Sequence, residues 1–110
     1  RMLVEAGADV KAKNNRGDTS LVLALDERCE GVARLLVEKN ADVDAQNNDG
    51  YTPLMMACNN GHEEVAQLLL AESADVNAQD RFGKTAVMVA CRRGLEGVAR
   101  LLVEKNADVT

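Results

Sequence analysis

His62 is the only histidine in the chain, and imidazole is the side chain that most readily takes or gives a proton near neutral pH. Its setting, after Gly61 and before Glu63-Glu64, is the start of a helix, where it is expected to be structural rather than a general base. Ser20 and Ser73 would need a histidine beside them to act as nucleophiles, and none stands in register with either. Neither a Gly-rich phosphate loop nor an HExxH pair occurs. Asp9, Asp42, Asp75 and Asp108 could in principle ligate a metal. Their wide, regular separation along the chain does not suit one oxygen cage, and they are expected to be solvated turn residues. The sequence thus predicts no catalytic residue, no cofactor and no metal, and the chain is not expected to be an enzyme.

Cys29, Cys58 and Cys91 cannot all pair internally and lack the close spacing of zinc ligands, which points to a reducing compartment. Cys58 and Cys91 occupy equivalent places on neighbouring helices, whose axes pack about 10 Å apart, beyond disulfide reach. Both are expected to be small core hydrophobes.

The regularity behind these spacings is a 33-residue period. Glu30 to Val43 recurs letter for letter as Glu96 to Val109, two periods on, and Gly17/Gly50/Gly83, Thr19/Thr52/Thr85 and Ala24/Ala57/Ala90 keep the register. A unit of this kind buries its apolar face by stacking on its neighbours. With 46% hydrophobic residues but only Tyr51 and Phe82 as aromatics, the shared core must be aliphatic.

The unit at 47–79 shows the elements most clearly. Thr52 is an N-cap with Pro53 at the first helical position, Leu54, Met55, Ala57 and Cys58 form a short apolar face, and Gly61 ends the helix. A second helix starts near His62 or Glu63, with Val65, Ala66, Leu68 and Leu69 on one side, and ends around Ala71 to Ser73. A polar, Gly-terminated connector follows. Helices this short are marginal alone, and stacking must hold them.

Gly50-Tyr51-Thr52-Pro53-Leu54-Met55-Met56-Ala57, Gly61-His62, Val65-Ala66-Gln67-Leu68-Leu69 and Ser73-Ala74-Asp75 resemble the ankyrin repeat across essentially the whole chain. The resemblance implies an all-α solenoid of L-shaped units, with antiparallel helices, projecting hairpins and a concave side. The units are a partial repeat at 1–13, repeats at 14–46 and 47–79, and a repeat at 80–110 that stops before its hairpin closes. Val22, Met55 and Met88 stand where the family has the histidine of its Thr-Pro-Leu-His tetrad, and Ser20 and Ala86 replace the proline. Arg28-Cys29 replaces Gly-His, which places a non-glycine where left-handed backbone is expected, at a cost of about 1 kcal/mol.

In this family partners are usually read by hairpin tips and by the concave ends of the first helices. Carried over, the protein-binding candidates are Arg16, Asp18, Asp49, Tyr51, Arg81, Phe82 and Lys84 on the hairpins, and Asp26, Glu27, Asn59, Asn60, Arg92 and Arg93 on the helices. Their charge runs from acidic through neutral to basic along the chain, and aromatics outside an aliphatic core are favoured interface anchors. Asn77 resembles the hairpin asparagines that an asparaginyl hydroxylase modifies in ankyrin proteins, which implies a hydroxylation site there if the source is an animal.

The expected function is a protein–protein interaction module. The alternatives are the substrate-recruiting arm of a larger enzyme, and a structural spacer or engineered scaffold, which the 14-residue identity also fits. A net charge of −5 argues against a general nucleic-acid partner, and no apolar run approaches the roughly 18 to 20 residues of a membrane span. An intracellular, cytoplasmic setting is expected. Uncapped ends, with Met2 and Leu3 at one and Val98, Leu101 and Leu102 at the other, are expected to support weak self-association.

Overall fold

The computed structural model describes residues 13–39 and 41–105. Among these, six helices form three pairs: α1 (Ser20–Asp26) with α2 (Glu30–Glu38), α3 (Pro53–Asn59) with α4 (Glu63–Ala71), and α5 (Ala86–Arg92) with α6 (Glu96–Glu104). The first helices stack in one row, α1 on α3 and α3 on α5, and the second helices stack in another. Extents of 42 × 25 × 21 Å reflect that one-directional stacking. The fold is an all-α solenoid, and the described residues hold no strand, only the isolated bridge between Lys13 and Thr19.

Local chemistry sets the helix limits. Thr19 and Thr52 adopt extended backbone, and their hydroxyls accept the Val22 N–H at 3.3 Å and the Met55 N–H at 3.1 Å. These are N-caps satisfying a donor that would otherwise be orphaned. Thr85 has the same backbone but makes no cap bond, and its buried Oγ1 has no partner. Between paired helices the chain passes through left-handed backbone at Arg28 (φ 62°), Gly61 (φ 75°) and Gly94 (φ 70°). The expected non-glycine in that conformation is therefore present, and Ser73 (φ 66°) is a second.

The core is aliphatic, as composition requires. Leu21, Leu25, Leu36, Leu54, Met55, Cys58, Leu69 and Leu102 are buried between the two rows. Burial pushes the Cys58 thiol up to about 12, because an apolar surround cannot solvate a thiolate.

Three expectations need correction. Cys91 is exposed, since no further helix pair lies against its side of α5 among the described residues. At the same end Val98 and Leu102 are buried, at 1% and 0% exposure, Leu101 is half-buried as expected, and the exposed apolar side chains are Met88 at 47% and Val103 at 49%. The reason is directional: Val98 and Leu102 face back toward the preceding repeat, whereas Met88 and Val103 face outward. Tyr51, expected beyond the core, is half-buried and packs against it. Met2 and Leu3 lie outside the described residues.

Candidate protein-binding groove

The hairpins are built from short polar side chains that bond their own backbone. Asn14, Asn47 and Asp80 each accept, through Oδ1, the N–H groups two and four residues ahead, at 2.8 to 3.0 Å. Neighbouring hairpins are then laced together. The Asn48 N–H donates to Arg16 O and the Arg81 N–H to Asp49 O, both at 2.9 Å, and the Asn47 amide donates to Asp18 Oδ1 at 2.9 Å. Gly17 and Gly50 sit where this lacing is tightest. A Cβ on Gly50 would come within 2.7 Å of the Asp80 Cα.

Several candidate binding residues are engaged in this framework. Asp18 is buried, holds Asn47 and lies 3.8 Å from the Arg16 guanidinium. Asp49 pairs with Arg81 at 2.9 Å. Asn60 donates to Leu25 O at 2.9 Å, and Arg93 reaches back to Asn59 Oδ1 through Nε at 3.2 Å and Nη2 at 2.8 Å. Asp26, Glu27 and Arg92 are exposed at the ends of the first helices, and Lys84 is half-buried. Phe82 is 74% exposed at its hairpin tip, with the Arg81 guanidinium 5.6 Å from its ring centroid, within cation–π range. Asn77 is exposed on the connector after α4, where its N–H donates to Asp75 Oδ1 at 2.9 Å.

Between the hairpins and the first helices the structure brings Tyr51, Asp26, Asn59, Lys84 and Arg92 around one cleft of about 180 Å³. Met56 and Val89 complete its apolar walls. These two are repeat equivalents, 33 residues apart, and were not singled out in the sequence because they read as part of the helix's general aliphatic content. A second cleft of about 360 Å³ adjoins it, sharing Tyr51, Met56 and Asp26 and adding Arg16, Asp18 and Asp49. The two form one groove, more acidic toward the first repeat, where Asp18, Asp26 and Asp49 outnumber Arg16, and more basic toward the third, where Lys84 and Arg92 stand.

A family model for ankyrin repeats in three copies matches residues 40–110, and a single-repeat model matches residues 16–48. The chain belongs to the ankyrin repeat family. Comparison with curated proteins gives no match. Ankyrin repeats are generally protein–protein interaction modules, and the groove lies between the parts of this ankyrin array that its core leaves accessible. Among the described residues no group of three or more His, Cys, Asp and Glu is placed to hold a metal ion, and no helix is long and apolar enough to cross a membrane. His62 is buried at 8% exposure with Nε2 3.0 Å from Leu25 O, a structural position at the entrance to α4.

Proposed function

We propose that this ankyrin array binds a protein partner through the groove floored by Tyr51, taking an apolar side chain flanked by carboxylates. The observation that carries this is the cleft itself: aromatic and aliphatic walls from Tyr51, Met55, Met56 and Val89, with the cations Lys84 and Arg92 in its lining, Asp26 toward the first repeat, and Asp80 engaged by the Phe82 and Lys84 N–H groups. Its volume suits one side chain, or about six waters that such a side chain would displace. Apolar walls supply the burial and the cationic rim supplies orientation and encounter rate. Phe82, at its nearby tip, adds an exposed ring that a longer ligand can cover.

Selection of displayed peptides on the chain tests this reading. Enrichment of an aliphatic or aromatic residue next to Asp or Glu is expected. Tyr51→Ala and Phe82→Ala should each weaken a selected peptide by about 1 kcal/mol or more with little salt dependence. Arg92→Glu should mainly slow association and reverse its dependence on salt. Selected peptides that lack acidic residues and lose affinity only when Asp26 and Glu27 are neutralised would move recognition to the acidic half and overturn the assignment.

A further inference from the structure

The cleft floored by Tyr51 spans both internal repeat boundaries, and its charged side chains are not all used by the fold. The ion pairs among the described residues join Arg16 to Asp18, Arg34 to Glu30 and Glu64, Arg81 to Asp49 and Arg100 to Glu96. Asp26, Lys84 and Arg92 line the cleft and belong to none of them. These unused charges are sorted by repeat. Asp26, Asn59 and Arg92 hold equivalent positions in the three repeats and all line the same cleft, so one register position runs from anion through neutral amide to cation along the stack. Asp26 and Glu27 also stand where the fold does not favour them. Asp26 ends α1 and Glu27 is its C-cap, with no basic residue in the last turn. The carbonyl end of a helix carries partial negative charge, which an acid there opposes. Arg92, in the last turn of α5, suits the same position. A local rule broken without an internal partner to offset it marks a residue kept for use outside the fold.

We propose that the groove reads a bipolar peptide segment: an apolar residue in the Tyr51 cleft, a basic residue to one side of it on Asp26, and an acidic residue to the other on Lys84 and Arg92. The proposal rests on this cleft being the seat of the partner's apolar side chain, and it adds that the partner's carboxylates lie on one flank only. Helices stacked about 10 Å apart put the Asp26 and Arg92 backbones roughly 20 Å apart across the two boundaries. An extended chain covers that span in about six residues, which sets each charge about two or three residues from the apolar one. A segment acidic on both flanks would bring a carboxylate against Asp26 and Glu27, and one basic on both flanks would bring a cation against Lys84 and Arg92. Either mismatch sets like charges together, which is how an interface rejects a wrong partner.

Three peptides with a central Leu test this by fluorescence anisotropy on the full chain: one with Lys on one flank and Glu on the other, one with Glu on both, and one with Lys on both. The bipolar peptide should bind about threefold tighter or more than either uniform one, and the preference should shrink as salt rises. Asp26→Lys should raise the doubly acidic peptide above the bipolar one, whereas Arg92→Glu should favour the doubly basic peptide, so that each end of the groove is switched separately. Asp26→Asn should weaken the bipolar peptide and at the same time raise the denaturation midpoint, an opposition that a purely structural Asp26 would not produce. Bipolar and doubly acidic peptides that bind equally well, both weakened by Tyr51→Ala, would overturn the bipolar reading and leave the cleft as the binding site. Failure of all three peptides to bind, or binding indifferent to Tyr51→Ala, would overturn both.

Discussion

His62 Nε2 lies 3.0 Å from the carbonyl oxygen of Leu25, the same oxygen that accepts the Asn60 amide at 2.9 Å. Two side chains from the entrance to α4 thus close the C-terminal end of α1 in the preceding repeat, where carbonyls have no helical partner. Leu25 O also accepts the Arg28 N–H at 3.2 Å, so loss of one side-chain donor does not orphan it. His62→Ala and Asn60→Ala are each expected to cost about 1 kcal/mol in urea denaturation. The double variant should cost about the sum, since the Arg28 N–H still satisfies the shared oxygen when both side-chain donors are gone. A loss well above the sum would show that the oxygen is then left unpaired.

Arg28 and Ser73 hold left-handed backbone at φ 62° and 66°; at the positions equivalent to Arg28 the other repeats have Gly61 and Gly94, and Ser73 follows the end of α4. Removing the Cβ relieves strain that an L-residue feels there. Arg28→Gly and Ser73→Gly should each raise the denaturation midpoint, by a stability gain of about 0.5 to 1 kcal/mol. The gains should add, as the two turns belong to different repeats and share no partner.

Three threonines in one register separate a cap from a mere turn residue. Thr52 Oγ1 accepts the Met55 N–H, whereas the buried Thr85 Oγ1 accepts and donates nothing. Thr52→Val should therefore lose about 1 kcal/mol. Thr85→Val, which replaces an unsatisfied buried hydroxyl by a methyl group of similar shape, should be neutral or stabilising. Thermal melts of the two variants compare the effects directly.

The period, the helix limits and the need for a left-handed residue at Arg28 were all legible in the sequence, because each follows from local chemistry: a threonine cap, an N1 proline, a glycine stop. The direction of each buried face was not. Val98 and Leu102 have the same residue types as the uncovered Val103, and only the direction of stacking tells which side of α6 meets the preceding repeat. For the groove, charges at Asp26 and Arg92 could be read from register, but their use could not. Asn60 and Arg93 look like variable surface residues, yet both bond across a repeat boundary. Tyr51 turned inward because an array of short hairpins leaves its half-apolar ring a place against the aliphatic core.

Cys58 carries the pH dependence that the structure makes specific. Its folded-state pKa is about 12 against an ordinary value of 9.0, through burial. The unfolded chain therefore releases this proton first as pH rises, so stability is unaffected below pH 9.0 and falls between 9.0 and about 12. The slope from this one group cannot exceed about 1.4 kcal/mol per pH unit. The useful quantity is the difference between the parent chain and Cys58→Ala, which removes only the thiol's share. Denaturation midpoints at several alkaline pH values should converge for the two chains as pH rises, the parent losing its advantage. Thiol labelling gives an independent check: Cys29 and Cys91, both exposed, should react promptly at pH 8, and Cys58 only at the rate of global or local opening. Parallel pH profiles together with three promptly reacting thiols would show that the α3–α4 core admits solvent to Cys58.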